Sequence, residues 1–354
     1  MKERVLHFLE QAMIHKASDI YIVARKPVTL KISGRMVAVD KNALSEDDCA
    51  EILKQLYALG RNRSFDRLKD GDDDFAIGID GIGRFRVNAY SQSQSYASII
   101  RTIPLGLPDP AKINIPDVIV NLANFRRGIV LFTGTTGSGK STSLACLIDK
   151  INSTRDDHII TIEDPVEFRH PHKMGIVSQR ELDADTRSYS SALRAAMRQV
   201  PEVILVGEMR DHETISAAIT AAETGHLVFG TLHTNSAAQS IDRMVNVFPP
   251  HQQPQVKAQL GNMLQAICSQ RLVPAIGGGR LAAAEIMIAN SAVRNIIREG
   301  KSHQLDSVIQ TSAQEGMQSM DRTLVQMVRS GQISYDEAKN FAVDLTEFER
   351  MMKG

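Results

Sequence analysis

GTTGSGKS, residues 134–141, is the stretch on which the reading of this chain turns. It fits G-x-x-x-x-G-K-[ST], and each fixed position has a physical task. Gly134, Gly137 and Gly139 tolerate backbone dihedrals that a Cβ disfavours, so successive N–H groups can turn inward around phosphate oxygens. Lys140 brings a point charge to the β- and γ-phosphates, and the Ser141 hydroxyl is placed to bind Mg²⁺. Residues 128–133 (GIVLFT) read as a buried strand, and 142–152 as a helix whose N-terminus faces the phosphates. With strand before and helix after, the segment reads as a nucleoside triphosphate cradle rather than an ordinary glycine loop. The expected nucleotide-contacting set is Gly134, Thr135, Thr136, Gly137, Ser138, Gly139, Lys140, Ser141 and Thr142.

Beyond Pro116, apolar strands at 129–133, 159–163, 203–207 and 227–232 alternate with helices. That is the pattern of a parallel sheet with crossover helices, and it sets the fold class as α/β. Two of these strands run into acids. Ile159-Ile160-Thr161-Ile162 leads to Glu163 and Asp164, and Pro165 stops the strand. In open α/β sheets ligands gather beyond the carboxyl ends of the strands, so Glu163 is expected to polarise the attacking water, with Asp164 in support. The plainer reading of this pair is a strand-end cap. Val203-Ile204-Leu205-Val206-Gly207-Glu208 repeats the arrangement and resembles a Walker B strand, except that glycine stands where an acid is common. Metal coordination then falls to Ser141 and, through water, to Glu208. A third strand carries His226 at its start and His233 at its end; at ~3.3 Å per residue they stand ~23 Å apart and cannot share a ligand. His233 is on the phosphate side and reads as a γ-phosphate sensor, whereas His226 reads as a residue that orders structure or a subunit contact.

The 354 residues leave room for two domains. Residues 1–103 read as an α+β module: an amphipathic helix with Val5, Leu6, Leu9, Ala12 and Met13 on one stripe, short strands, a helix opened by a capping box at Ser45 and Asp48, and strands at 74–79, 83–90 and 97–101. The acidic cluster at 70–74 reads as a solvated turn. Residues 104–117, with PLGLPDP at 104–110 and Pro116 after it, read as a stiff linker. Residues 118–354 form the nucleotide domain, which is expected to turn mostly helical from about Met263, with a last helix capped by Ser334 and running towards Met352. Lys plus Arg and Asp plus Glu number 41 each, so no overall basic charge advertises nucleic acid or anionic lipid. Cys49, Cys146 and Cys268 form no CxxC pair and suggest neither zinc nor a disulfide framework. With no run of 18 apolar residues and no signal-peptide core, the chain is expected to be cytoplasmic, docking on a membrane machine without spanning the bilayer.

Walker A, TIEDPVE (161–167), ILVGEMRD (204–211) and TGHLVFGTLHTN (224–235), in that order, resemble the secretion ATPase superfamily of type II and type IV pilus systems. Within it the chain resembles the type IV pilus retraction ATPases, the PilT group. Residues 292–301, AVRNIIREGK, resemble their AIRNLIRE motif; the chain is short, with the α+β module at its N-terminus; and the four-cysteine zinc element of assembly ATPases is missing. Ser18-Asp19-Ile20-Tyr21-Ile22 departs from the group where a histidine is usual, which leaves an accessory paralogue or a related secretion ATPase open. The resemblance implies a PAS-like domain followed by a RecA-like P-loop ATPase domain, ATP and Mg²⁺ as cofactors, a homohexamer, and an inner-membrane pilus platform protein as partner. It also implies arginines from the first domain at the nucleotide: Arg86 and Arg101 first, then Arg84, with Arg271 a weaker candidate. The 292–301 helix is expected to transmit motion. The expected function is ATP hydrolysis that powers pilus retraction and twitching; a pilus-assembly or type II secretion ATPase stays open, as does a DNA-translocating conjugation ATPase, against which the neutral charge speaks.

Overall fold

The computed structural model describes residues 2–60, 63–103, 106–110, 113 and 115–353. It divides into two compact units: Met1–Gly106 with Pro165–Arg169 and Asp183–Asp185, and Leu107–Asp164 with His170–Leu182 and Thr186–Gly354. The expected linker lies partly outside the described residues, at 104, 105, 111, 112 and 114.

In the first unit, α1 (Lys2–Ile14) and α2 (Glu46–Leu59) pack on a sheet of β1 (Asp19–Ile22), β2 (Thr29–Ile32), β3 (Arg35–Ala38), β4 (Asp72–Ile79), β5 (Gly83–Gln92) and β6 (Ser95–Ile103). The strand order is β3-β2-β1-β6-β5-β4, antiparallel throughout. Alternation along β5 explains the layering. Phe85, Val87 and Ala89 enter the core beside Phe8, Leu9, Ile52 and Leu56, while Arg84, Arg86 and Asn88 take the other face. Helix α2 starts at a reciprocal capping box: the N–H of Asp48 donates to Ser45 Oγ (3.0 Å) and the N–H of Ser45 to Asp48 Oδ2 (2.9 Å).

The acidic cluster is not a solvated turn. Asp72, Asp73 and Asp74 open β4, pairing with Tyr90, Ala89 and Asn88, and two of these acids meet arginines. Arg63 lies 3.0 Å from Asp73 with both side chains buried, and Arg86 binds Asp74 through both Nε and Nη2. The arginines supply the charge balance that lets carboxylates sit in a strand.

The second unit is a seven-stranded sheet, β13-β12-β7-β11-β10-β8-β9. β7 (Gly128–Thr133), β8 (His158–Glu163), β9 (Ile176–Glu181), β10 (Val203–Val206), β11 (Leu227–Leu232) and β12 (Leu264–Pro274) run parallel, and β13 (Arg280–Ile288) returns antiparallel to β12. Between and after them come α3 (Asp117–Asn121), α4 (Lys140–Thr154), α5 (Tyr189–Ala196), α6 (His212–Glu223), α7 (Ala237–Asn246), α8 (Gln253–Met263), α9 (Ser291–Glu299), α10 (Leu305–Thr311), α11 (Met320–Arg329), α12 (Tyr335–Phe341) and α13 (Leu345–Lys353). Helices cover both faces, which is why β7 is buried at every position and apolar from Ile129 to Phe132. Ile129 and Leu131 join one core cluster, Val130 and Phe132 the other.

Two expectations for the C-terminal third hold only in part: the chain turns mostly helical only after Ile288. The region after Met263 begins with the long β12–β13 hairpin rather than a helix. Ala282, Ala283, Ala284, Glu285 and Met287 are helix formers by propensity, yet pairing from Ala266↔Ile288 to Pro274↔Arg280 holds them in a strand. The last helix is also broken. Ser334 Oγ caps α12 by accepting from the N–H of Glu337 (3.2 Å), but the buried Asp321 carboxylate accepts the N–H groups of Val343 (2.7 Å) and Asp344 (2.9 Å), and α13 starts anew.

Cys49, Cys146 and Cys268 are all buried and unbridged. Burial pushes the thiols of Cys49 and Cys146 up to about 11 and about 12, and that of Cys268 upward as well. Among the described residues no helix is long and apolar enough to cross a membrane.

Candidate nucleotide site

The loop between β7 and α4 is shaped by its glycines. Gly134, Gly137 and Gly139 hold φ of 137°, 79° and 94°, and a Cβ on Gly134 would run into the backbone oxygen of Gln270 on β12. Helix α4 begins at Lys140 with left-handed Gly139 as its N-cap, so no side chain caps its first-turn N–H groups. Lys140 is buried, and its Nζ donates to the carbonyls of Gly134 (2.8 Å) and Thr135 (3.0 Å), drawing the loop around the ammonium. Thr135, Thr136, Gly137 and Ser141 are exposed, Thr142 is half-buried and Ser138 is buried. The neighbouring strand braces the helix: Gln270 Nε2 donates to Ser143 Oγ (2.8 Å).

The two strand-end acids are held differently. Glu163, half-buried at the end of β8, accepts from Thr161 Oγ1 (2.6 Å) and lies 3.4 Å from Gln179 Nε2 of β9. Both are neutral donors, and the register Thr161↔Gln179 puts them side by side. Glu208, after β10, meets an arginine and a histidine. Its Oε1 receives Arg210 Nε, and His233 Nε2 lies 3.0 Å away. The hydrogen bond to Glu208 holds Arg210 above the usual arginine value. Asp164 is exposed beside Glu163.

Gly207 explains why no acid ends β10. A Cβ there would come within 3.0 Å of the Ile162 carbonyl, 3.1 Å of the Tyr189 hydroxyl and 3.2 Å of Glu163 Cα. The Gly207 carbonyl in turn accepts from Thr231 Oγ1 of β11. Tyr189, the first residue of α5, is the residue that sequence reasoning missed. Burial raises its phenol well above the ordinary range, and the charges of Asp164, Glu208 and Glu163 add to this, so the ring stands among all three carboxylates. No local motif marks it. Arg210 was also missed, though it stands inside ILVGEMRD.

The other candidates have local partners of their own. His226 Nδ1 sits 2.8 Å from the carbonyl of Ala221 and 3.1 Å from Thr224 Oγ1, closing the end of α6. Arg271 Nη1 donates to the carbonyl of Phe341 (2.6 Å). Within the first unit, Arg84 Nη1 donates to the Val166 carbonyl (2.6 Å), Arg86 binds Asp74, and Arg101 Nε meets the buried Asp19 at 3.1 Å. Helix α9 is capped by Asn290 Oδ1 (3.0 Å from Val293 N) and ended by left-handed Gly300, and Arg294 Nη1 donates to the carbonyls of Gly261 and Asn262 in the last turn of α8. Among the described residues no three His, Cys, Asp or Glu side chains cluster as a metal cage. A cation that travels with phosphates needs only one or two protein groups, so Ser141 and Glu208 suit Mg²⁺ by their donor chemistry.

A family model described as type II/IV secretion system protein matches residues 1–340. The chain is 44% identical over 326 residues to the type IV pilus retraction ATPase PilT of Pseudomonas aeruginosa, covering 92% of this chain and 94% of that protein. It is 42% identical over 339 residues to a twitching motility protein of Neisseria gonorrhoeae, covering 96% and 90%. It is also similar to a crystal structure of the pilus retraction motor PilT with bound ADP, with a TM-score of 0.89, 44% identity and 98% of each chain covered.

Proposed function

The chain belongs to the type II/IV secretion system protein family, and from that premise we propose that it is a Mg²⁺-dependent ATPase powering type IV pilus retraction and twitching motility. The observation that carries the reading is the phosphate loop with two acid-ended strands, in a chain 44% identical to a retraction ATPase over nearly its whole length. The loop N–H groups and Lys140 bind the triphosphate, and Gly134 to Thr142 supply the cradle. Ser141, and Glu208 through water, would hold a Mg²⁺ carried in with ATP, which would supply charge neutralisation at the phosphates. Glu163 orients the attacking water and takes its proton. The Thr161 hydroxyl and the Gln179 amide fix the direction of its carboxylate. His233, paired with Glu208, reads the γ-phosphate. Asp164 supports Glu163, and Arg86 and Arg101 contact the triphosphate.

The working assembly is a homohexamer of subunits, each with a PAS-like domain (1–103), a linker (104–117) and a RecA-like domain (118–354). It acts in the cytoplasm on an inner-membrane platform protein, with α9 carrying motion outward. Two measurements test this. Lys140→Ala should abolish ATP turnover in the full chain, and equal rates would exclude catalysis at this loop. Deleting the gene should leave cells hyperpiliated and unable to twitch; bald cells would instead mark an assembly motor.

A further inference from the structure

Glu285 stands alone as a charge in the apolar run of residues 281–288, LAAAEIMI, and it is buried on β13. An ionisable group in such a place costs free energy unless its bonds organise something. Its Oε1 accepts the N–H of Ala237, the first residue of α7, at 2.8 Å. Ser269 Oγ of β12 lies 3.5 Å from the same oxygen, and Thr133 Oγ1 donates to Ser269 Oγ at 2.9 Å. The registers Thr133↔Ser269 and Ser269↔Glu285 set the three side chains in one row across β7, β12 and β13. Thr133 is the residue before Gly134, so one branch ends where the phosphate loop begins. The other branch ends at α7, whose approach is His233-Thr234-Asn235-Ser236. Ser236 caps α7, and the hydroxyls of Thr234 and Ser240 lie 2.6 Å apart, so the segment from His233 to the helix is tied to α7.

We propose that Glu285 is a positioning residue for ATP hydrolysis, holding the His233 segment in register with the strand that launches the phosphate loop. This rests on the ATPase reading above. The N-terminal end of α7 favours a carboxylate. Burial opposes it, as does Asp306 of α10, while Arg271 of β12 favours the charge; the balance leaves Glu285 raised to about 7. Neither protonation state loses the Ala237 contact, because each keeps an acceptor oxygen. A small displacement of His233 relative to the loop would lower turnover far more than ATP affinity, which the loop backbone supplies.

The test is a double-mutant cycle on the full chain with Mg-ATP, using Glu285→Ala, His233→Ala and their combination. Glu285→Ala should lower kcat about 10-fold with KM for ATP within about twofold, and the combination should be no slower than His233→Ala alone. Glu285→Gln keeps an acceptor and should restore at least about half of the rate. Ala237→Pro deletes the N–H at a position where proline suits a helix start and adds ring carbons at a buried site; with a native circular dichroism spectrum it should match Glu285→Ala, and it carries the cycle if that variant does not fold. Losses that multiply in the double variant overturn the proposal, as do an unchanged kcat in Glu285→Ala or a Gln variant no better than Ala. A wild-type chain without Lys140-dependent turnover overturns the ATPase reading itself, and this inference with it.

Discussion

The ends of β8 and β10 look alike in sequence, each a buried apolar run followed by a glutamate, yet their surroundings divide them. Glu163 accepts from the Thr161 hydroxyl and stands beside the Gln179 amide; Glu208 receives Arg210 and stands 3.0 Å from His233. The proposed function gives these two like residues different work: Glu163 the attacking water, Glu208 the metal side and His233.

The sharpest way to break that contrast is Glu163→Gln. It should lower kcat about 10³-fold with little change in KM for ATP, since a positioned general base contributes on that order. If Glu208→Gln were the more damaging of the two in steady-state turnover, the assignment would reverse. Glu208→Gln should instead cost about 10- to 100-fold and raise the Mg²⁺ concentration needed for half-maximal rate, as loss of an outer partner does at metal sites. Gly207→Ala probes the crowding between the two ends. Its new Cβ meets Ile162 and Tyr189, so we expect a loss of about 1–3 kcal/mol in denaturant unfolding; an unshifted midpoint would show that the neighbours yield. The smallest effect concerns a third glutamate. Glu285 is raised to about 7, so the folded chain holds its proton more tightly than the unfolded chain. That contribution to stability is complete below the ordinary glutamate value of 4.5 and is lost as pH rises through about 7. Glu285→Gln should therefore flatten the fall of Tm between pH 5 and 8 expected of the parent; parallel curves would refute it.

Legibility followed the kind of signal each segment carries. The phosphate loop, the four parallel strands around it and the Ser45 cap announce themselves through local chemistry or through continuous apolar runs bounded by turns. The β12–β13 hairpin does not. Its alanines and glutamate speak for helix, and only the neighbouring β7 edge and the reciprocal pairing make it a strand. Yet this hairpin carries Gln270, which packs against Gly134 and braces Ser143, and Glu285 besides. Tyr189 was illegible for another reason: its place among three carboxylates is a meeting of distant loops, and spacing in the chain carries no trace of it. Glu208 and His233 were legible singly as site residues, but their 3.0 Å pairing is a tertiary fact.

The chain contains no tryptophan, and its three thiols are buried and held in the unreactive protonated form. For spectroscopy this makes the native protein a dark background. One cysteine placed at the exposed Val200, or one tryptophan at the exposed Ile276, would be the sole label or the sole indole emitter in a subunit. Stroke timing in an assembled motor would then be readable from a single dye or a single fluorescence decay, with no native residue to remove first.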